Sequence, residues 1–407
     1  MKLHTGRLFW PDVSGDVAGS DEPASGSTAF DVVIVGAGMS GMLCAYRLAK
    51  AGYGVLVVER DRVGAGSTAA NTGLIQYMSD AGVHEYAKQI GKENAEIFYE
   101  WSHDAVDTLQ DMISEVKEPD VRISESTDSL LVATDMKSRA YLKHEKTAQE
   151  ALGFDVELFS QSELGAEHIN GMAALSTRPD IALNPYAFVH RLAITARSTF
   201  NLKIMENCRF VSYRKNPAGG LSINLLLNGK RHRIWSPRLI VCTGYDTPRT
   251  MSRKLPLMEH YRTFVVVTEA IGSKKSLLPA MVWEKKDAYT YVRNTFDRRL
   301  MIGGLDEKGK TLSVDDAEKN QAKLMHFAAS LLADTTLKPP AYSYAAIFGE
   351  SKDNLPYMGL DPASDDVMII AGLGGNGTVY SVIGSDIALH WMRGRMPEGA
   401  SLFKIDR

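Results

Sequence analysis

The sequence predicts an α/β protein in which a discontinuous domain with parallel strands alternates with a domain built on an antiparallel β-sheet. Three short, mostly β-branched runs, at 30–35, 239–242 and 367–371, have the uniformly apolar character of buried parallel strands. Glycines follow each run. Residues 264–303 contain further strands of a different texture, with alternating polar and apolar positions. The parallel-strand domain is therefore expected at the start, the middle and the end of the chain.

Length and composition exclude several classes of protein. The chain has 407 residues, which favours two or three domains or one large interleaved unit. Its formal net charge is −3, so it lacks the basic excess that accompanies nucleic-acid binding. It contains no apolar run long enough for a transmembrane helix. The cysteines, Cys44, Cys208 and Cys242, form neither a CxxC pair nor an even set, so we expect a reducing, cytoplasmic location.

Residues 1–29 are interpreted as a leader followed by a linker. The leader lacks the apolar core of a signal peptide. Residues 13–28 are rich in Gly, Ser, Asp and Ala, which predicts an exposed linker. The apolar residues 8–11 are compatible either with docking on the domain or with a frayed tail.

The strongest motif is GAGMSG at 36–41, which links the first buried strand to a helix, and the next strand ends at Glu59. In this context Gly36 permits a tight turn, Gly38 lets the backbone approach a pyrophosphate, and Gly41 lets helix and strand pack closely. The helix N-terminus presents N–H groups to the phosphates, and Glu59 is placed to accept a hydrogen bond from a ribose hydroxyl. The unit predicts a dinucleotide-binding, Rossmann-like domain, and the carboxylate disfavours NADP.

Two further segments favour FAD over NAD. Residues 64–74 form a loop of small polar residues that suits a second phosphate and the edge of a flavin ring. Glycines at 372–377 again connect a strand to a helix, whose N-terminus would stabilise negative charge on a reduced flavin. A third glycine turn, at 242–244, suits packing beside the adenosine half. Three such turns in one chain predict FAD as the cofactor.

Together these motifs resemble those of the FAD-dependent oxidoreductases of the D-amino-acid oxidase superfamily, which include glycine oxidase, sarcosine oxidases and γ-glutamylputrescine oxidase. The resemblance extends from residue 31 to about residue 394. The segments that carry it are GAGMSG with Glu59, GSTAANTGL (66–74), LIVCTG (239–244), residues 283–307, DNLPYMG (353–359) and GLGGNG (372–377).

This resemblance implies a discontinuous Rossmann-like FAD-binding domain and a substrate domain with an antiparallel β-sheet. After the leader and linker at 1–29, we expect pieces of the two domains to alternate along the chain. The expected FAD-binding pieces are 30–115, 171–260 and 346–407, and the expected substrate-domain pieces are 116–170 and 261–345.

The resemblance also implies an enzyme that oxidises a C–N bond of an amine or amino acid. In the family a hydride passes from the α-carbon of the neutral amine to flavin N5, the imine is hydrolysed, and oxygen reoxidises the flavin. Two alternatives stay open: a flavin dehydrogenase that passes electrons to a quinone or another acceptor, and an FAD-binding protein without catalytic activity. The expected partners are a small-molecule amine or amino acid and oxygen or another acceptor, and no nucleic acid.

The predicted cofactor-binding residues lie mostly in the glycine turns and in the 64–74 loop. Because sarcosine oxidases link the flavin to a cysteine, and all three cysteines here precede residue 243, non-covalent FAD is expected. The predicted set is Gly36, Gly38, Met39, Ser40, Gly41, Glu59, Arg60, Ser67, Thr68, Asn71, Thr72, Gly73, Leu74, Phe210, Thr243, Gly244, Gly374, Gly375, Asn376, Gly377 and Thr378.

The side chains that hold a substrate carboxylate in related enzymes have no counterpart here. Glycine oxidases place one arginine before the DNLPYMG-like motif and another in the C-terminal glycine cluster, where this chain has Phe348 and Gly375. Sarcosine oxidases carry a lysine shortly after that cluster, where this chain has Val379. These departures argue against a glycine-like substrate.

Residues 289–293 offer replacements, although no catalytic residue is assigned. Strand alternation puts Tyr289, Tyr291 and Arg293 on one face. Arg293 could bind a carboxylate, and the tyrosines could enclose an amine through cation–π contacts. The alternative is a solvated strand with an ordinary surface arginine. Glu350 could pair with a cationic amine, although a carboxylate in a surface loop is the simpler interpretation.

Other motifs do not change this interpretation. The histidines form no HExxH motif or Cys/His cluster, so no metal site is predicted. Residues 304–311 (GLDEKGKT) match the letters of a phosphate-binding loop. Carboxylates at 306 and 307 and the lack of a following helix instead favour a charged turn between strands.

Overall fold

The computed structural model describes residues 2–14, 30–116, 122–251, 258–272, 278–286, 289–332 and 337–407. Most of the linker expected at 13–28 lies outside these residues. Helices flank two large β-sheets and one small sheet, so the predicted α/β class is confirmed. The α-helices are α1 (Phe9–Ser14), α2 (Met39–Lys50), α3 (Ser67–Ala70), α4 (Val83–Ile90), α5 (Lys92–Val116), α6 (Met136–Ala151), α7 (Gln161–Ala166), α8 (Pro185–Thr199), α9 (Thr247–Thr250), α10 (Asp316–Lys319), α11 (Gln321–Leu331) and α12 (Gly377–Met392).

A six-stranded sheet contains the three buried strands predicted from the sequence. Its strands are β2 (Val32–Val35), β3 (Val55–Val58), β8 (Leu202–Met205), β12 (Arg238–Val241), β18 (Tyr357–Asp361) and β19 (Ser364–Ala371). The spatial order is β18-β19-β12-β2-β3-β8, parallel except for β18. Because β19, β12 and β2 are adjacent and parallel, the three glycine turns that follow them meet at one edge of the sheet.

A ten-stranded sheet forms the other large layer. Its order is β1-β17-β13-β16-β15-β14-β5-β7-β4, with β6 paired to β7, and its pairs are antiparallel except for β14 with β5. The strands are β1 (His4–Gly6), β4 (Leu74–Ile75), β5 (Ser124–Ala133), β6 (Val156–Ser160), β7 (Ala173–Leu183), β13 (Glu259–Thr268), β14 (Met281–Glu284), β15 (Thr290–Asn294), β16 (Leu300–Lys308) and β17 (Pro340–Glu350). A separate three-stranded sheet consists of β9 (Cys208–Lys215), β10 (Leu221–Leu227) and β11 (Lys230–Ser236).

Two parts of the ten-stranded sheet differ from expectation. Residues 173–183 form β7 in this sheet, although we assigned 171–260 to the FAD-binding domain. Residues 304–308 pair with β13 as the end of β16, so the expected turn at 304–311 is wrong in its first half. The domain boundaries themselves stay a prediction.

The leader is docked rather than frayed. Strand β1 pairs with the edge strand β17, with His4 opposite Ala346. Phe9 and Trp10 are buried, and the indole Nε1 of Trp10 donates a hydrogen bond to the carbonyl oxygen of Asn71 at 2.7 Å. The leader thereby contacts the polar loop that was predicted to bind the cofactor.

Helices α2 and α12 begin at the first and last glycine turns and pack against each other. The hydroxyls of Ser40 and Ser381 lie 2.8 Å apart near the start of the two helices. Further along, the guanidinium of Arg47 pairs with Asp386 at 2.7 Å. The serine contact and the ion pair hold the two helices together, and with them the two glycine turns from which the helices begin. None of the helices in the described ranges has the length and apolar character needed to cross a membrane.

Candidate active site

The site is built first by glycines that no other residue can replace. Gly36 has φ 104°, and a Cβ there would collide with the carbonyl oxygen of Cys242. A Cβ on Gly41 would collide with the carbonyl oxygen of Gly36. The first glycine turn therefore packs against both the helix that follows it and the 242–244 turn. The predicted packing role of Gly41 agrees with this geometry.

At Gly38 the reason for glycine is the space that it leaves, not the backbone conformation. Its φ of −81° suits any residue, and a Cβ would meet only the hydroxyl of Thr68, at 3.3 Å. The same hydroxyl accepts a hydrogen bond from the Met39 N–H at 3.0 Å. Beyond that hydroxyl, the space at Gly38 is the interior of a cavity. The absent side chain leaves room for a ligand that touches the backbone.

This cavity, the larger of two that form the site, has a volume of about 490 Å³ and lies where the three glycine turns meet. The hydroxyl of Thr378, at the start of α12, is buried and has no hydrogen-bond partner among the described residues. A buried hydroxyl of this kind is satisfied when a polar ligand fills the cavity. The predicted residues that line it are Gly36, Gly38, Met39, Ser40, Glu59, Arg60, Ser67, Thr68, Asn71, Phe210, Thr243, Gly244, Gly374, Gly377 and Thr378.

Glu59 closes β3 and is held in place by the backbone. Its carboxylate accepts hydrogen bonds from the N–H groups of Ala37 at 2.8 Å and Asp61 at 2.9 Å. Burial raises the pKa of Glu59, while these two backbone donors oppose the change. Next to it, Arg60 pairs with Asp246, which sequence analysis did not identify. The carboxylate thus has a fixed orientation at the wall of the cavity.

A smaller cavity of about 140 Å³ adjoins the larger one. Ser67, Asn71, Tyr245 and Gly374 line both cavities, so the two spaces meet at these residues. The smaller cavity, called here the chamber, lies against the ten-stranded sheet. The predicted residues that line it are Ser67, Asn71, Thr72, Leu74, Tyr289, Tyr291, Gly374, Gly375 and Asn376.

Arg293 is on the predicted strand but does not line the chamber. Its side chain is fully buried, and its Nη1 donates hydrogen bonds to the carbonyl oxygens of Thr72 at 3.2 Å, Gly73 and Leu183 at 2.9 Å. Its Nε donates to the carbonyl oxygen of Asn294 at 2.9 Å. The structure thus corrects the expectation that Arg293 binds substrate, because the residue lies outside the linings of both cavities. Its Nε and Nη1 are bound to main-chain carbonyls, and its Nη2 is buried without a partner among the described residues.

Glu350 and Gly73 also lie outside the cavity linings. Glu350 ends β17 and is half-buried, so it is not a surface-loop carboxylate. Its Cγ lies 3.4 Å from the position of a Cβ on Gly374, which places it behind the last glycine turn. Gly73 has φ 68°, and its carbonyl accepts from Arg293.

Sequence analysis missed several chamber residues, among them Gln76, Asp80, Tyr245 and Trp283. Tyr245 follows the 242–244 turn directly, and that adjacency could have identified it. Asp80 has no adjacent motif that could have identified it from the sequence. It reaches the chamber because the chain after β4 runs back to the last glycine turn, where the Asn376 amide donates to the carbonyl oxygen of Met78 at 3.0 Å.

Three carboxyl groups give this region a negative character. Burial, reinforced by Asp80, raises the pKa of both Asp306 and Glu350 to about 7. Asp80 is exposed to the chamber, yet the surrounding protein raises its pKa, and Lys285 opposes the change. In the described ranges, no group of His, Cys, Asp and Glu residues is arranged to hold a metal ion.

Parallel strands whose glycine turns surround a bare backbone, next to a smaller chamber, are typical of a dinucleotide-dependent enzyme fold. A sequence model of the FAD-dependent oxidoreductase family DAO matches residues 31–390. The chain belongs to this family, and FAD is its cofactor. The bare backbone at Gly38 and the unpartnered hydroxyl of Thr378 fit such a group.

The comparisons with individual proteins agree with the fold. Glycine oxidase from Geobacillus kaustophilus is 22% identical over 367 residues, covering 86% of this chain and 90% of that protein. Its crystal structure superposes with a TM-score of 0.78 at 19% identity, covering 93% of this chain and 99% of that one. L-amino acid deaminase from Proteus myxofaciens, in complex with anthranilate, gives a TM-score of 0.80 at 14% identity, covering 100% and 99%.

Two short matches of higher identity cover only 17% and 19% of the relatives concerned. One of these relatives is a putative Rieske 2Fe-2S iron-sulfur protein, YhfW, from Bacillus subtilis. It is 32% identical over 88 residues, or 22% of this chain. Such matches bear on the shared segment alone.

Gly38→Leu is expected to abolish FAD binding while leaving a folded protein. The backbone conformation of Gly38 suits a residue with a side chain. A leucine side chain, however, would fill the part of the cavity that lies against this backbone. The measurement is the amount of FAD per protein after purification and after FAD is added back. Gly165→Leu is the control, because that exposed glycine has nothing within 4 Å of its Cβ position. Normal FAD content in Gly38→Leu would contradict the assignment.

Arg293→Met is expected to destabilise the protein rather than alter a substrate contact. The change leaves the carbonyls of Thr72, Gly73 and Leu183 without their donor, a loss of about 3 kcal/mol in the free energy of unfolding. Denaturant unfolding of the FAD-loaded protein measures it. Arg122→Met, at an exposed ion pair, should have almost no effect. Unchanged stability with a raised KM would restore Arg293 as a substrate ligand.

Stability is expected to fall as the pH rises from about 5 to 8. The unfolded chain loses the protons of Asp306 and Glu350 near their ordinary pKa values of 3.8 and 4.5, whereas the folded protein keeps them up to about pH 7. The folded state therefore binds more protons in this window, and raising the pH favours unfolding. Thermal unfolding at constant FAD excess should show a shallower pH dependence for the Asp306→Asn, Glu350→Gln double variant. Equal slopes for parent and variant would refute this.

Proposed function

We propose that this chain oxidises a C–N bond in an amine or amino acid, using FAD bound non-covalently in the larger cavity. The observation that carries the proposal is the junction of the two cavities at Ser67, Asn71, Tyr245 and Gly374. A small molecule in the chamber can touch a cofactor in the larger cavity only across these residues. That arrangement suits direct transfer between substrate and cofactor.

The first glycine turn and the start of α12 are proposed to hold the cofactor. The N–H groups at the start of α2 and the bare backbone at Gly38 suit phosphates. Glu59, oriented by Ala37 and Asp61, keeps acceptor capacity for ribose hydroxyls. Thr378 offers its unpartnered hydroxyl to the same cavity. These positions account for the fifteen predicted residues that line the larger cavity, without any covalent link.

Bound FAD supplies a two-electron acceptor for the hydride that leaves the carbon next to the amine nitrogen. The nitrogen lone pair forms the new C=N bond, and water then splits the resulting iminium into a carbonyl compound and an amine or ammonium. The two electrons, with protons, reduce oxygen to hydrogen peroxide. Trp283 and Tyr291 are buried in the chamber wall and exclude water while the hydride moves.

The proposed substrate is a small molecule, because the chamber has a volume of only about 140 Å³. Oxygen is the proposed electron acceptor, and the proposed location is the cytoplasm, in keeping with three free, buried cysteines.

The test is anaerobic mixing of the FAD-loaded protein with a panel of amines, N-methyl amino acids and α-amino acids of both chiralities. Loss of the oxidised flavin absorbance with at least one compound, followed by hydrogen peroxide formation on admission of air, is the expected result. Gly38→Leu serves as the control without cofactor. Flavin reduction with turnover only when a quinone is added would indicate a dehydrogenase. Flavin that dithionite reduces but no compound of the panel does would indicate a binding protein.

A further inference from the structure

We propose that the chamber takes an amine that carries a second positive charge and no free carboxylate, with Asp80 binding the charged nitrogen. The inference rests on the proposed function and names its substrate class. It follows from which charges line the chamber, from the rings around it, and from two polar groups that have no partner.

Asp80 is the one charged side chain among the described residues that line the chamber. No lysine, arginine or histidine of the described ranges lines it. Arg293, on the neighbouring strand, is occupied by main-chain carbonyls. Lys285 directs its ammonium to the carbonyl oxygen of Asp80 at 2.8 Å and to Glu85 at 3.1 Å. A substrate carboxylate would therefore be desolvated beside a carboxylate and without a cationic partner.

Distances from the last glycine turn show where the carboxylate of Asp80 lies. A Cβ on Gly375 would lie 3.6 Å from Asp80 Oδ2 and 3.4 Å from the hydroxyl oxygen of Tyr289. The carboxylate and the phenol thus face the same point of the chamber wall. The rings of Tyr289 and Tyr291 have centroids 6.0 Å apart. Aromatic faces next to a carboxylate form a binding place for an ammonium group.

Two unpartnered polar groups at the chamber indicate a polar ligand. Gln76 is only 9% exposed and lines the chamber, and its amide nitrogen has no hydrogen-bond partner among the described residues. Behind the chamber, Asp306 Oδ1 has no hydrogen-bond partner among the described residues, although Thr263 and Tyr289 hydrogen-bond to the same side chain. A side-chain amide can present either its oxygen or its nitrogen to a ligand, and an ammonium group can donate three hydrogen bonds.

Asp306 and Glu350 extend the negative charge behind the chamber. Neither forms an ion pair in the part of the chain that the structure describes, and both have their pKa raised by burial and by Asp80. A cation in the chamber would relieve this repulsion, whereas a carboxylate would increase it. The field therefore selects for positive charge beyond the contact with Asp80 itself.

The chemistry of the reaction requires a second, protonated nitrogen in the substrate. The amine that gives up a hydride must be neutral, because its lone pair forms the C=N bond. A monoamine cannot be the cation at Asp80 and the reacting group at once. In a diamine, one nitrogen reacts as the free base while the other stays protonated at Asp80, and atoms and electrons balance as in the proposed oxidation.

The test compares three probes with the same five-carbon chain: 1,5-diaminopentane, pentylamine and 5-aminopentanoate. Each is mixed anaerobically with the FAD-loaded protein, and the second-order rate constant of flavin reduction is measured. The diamine is expected to react about 10- to 100-fold faster than pentylamine, as one charge-assisted hydrogen bond would give, and 5-aminopentanoate slowest. Equal rates for the diamine and pentylamine, or faster reduction by 5-aminopentanoate or an α-amino acid, overturn the inference but leave the proposed function standing.

Asp80→Asn should remove the preference for the diamine, because the rate constant for the diamine should fall towards that for pentylamine, while FAD content stays normal. Asp365→Asn, at an exposed position outside both cavities, is the matched control and should keep the preference. A preference that survives Asp80→Asn overturns the role of Asp80. If that variant does not fold, the three probes on the parent protein decide. Failure of every amine and amino acid to reduce the flavin rejects the proposed function instead.

Discussion

Carbonyl oxygens of Thr72, Gly73 and Leu183 converge on the guanidinium of Arg293 in the interior of the protein. A buried cation without a carboxylate partner is unfavourable unless several dipoles surround it, and here three carbonyls do so. They come from the loop that lines both cavities and from the end of β7, while Arg293 belongs to β15. Trp10 approaches the same loop through the carbonyl of Asn71. The loop between the cofactor cavity and the chamber therefore owes its shape to the ten-stranded sheet.

The cofactor half of the site could be predicted because its constraints are local in sequence. A tight turn at Gly36, a bare backbone at Gly38 and close packing at Gly41 each require glycine within six residues of a buried strand. The mostly apolar strands predicted the parallel sheet, and the structure adds that β2, β12 and β19 are adjacent in it. Fifteen of the predicted residues line the larger cavity for this reason.

The substrate half could not be predicted in the same way. Period-two alternation correctly put Tyr289, Tyr291 and Arg293 on one face, but it could not show that the chamber ends before Arg293. The charge in the chamber lining comes from Asp80 in a loop, and Asp306, in a segment that was expected to be a turn, adds negative charge behind the chamber. Packing between segments that are distant in sequence brings these residues together, and no residue spacing in the sequence indicates this packing.

The pairing of β1 with β17 joins the start of the described chain to a strand far along it, with His4 opposite Ala346. During synthesis on the ribosome, β17 emerges only after most of the protein has been made. Until then Phe9 and Trp10 have no edge strand beside which to dock, and their apolar rings stay exposed. The loop that carries Asn71 also lacks its hydrogen bond from Trp10 during that interval. The last glycine turn and the start of α12 also follow β17, so every wall of the cofactor cavity is in place only when the C-terminal part of the chain is present.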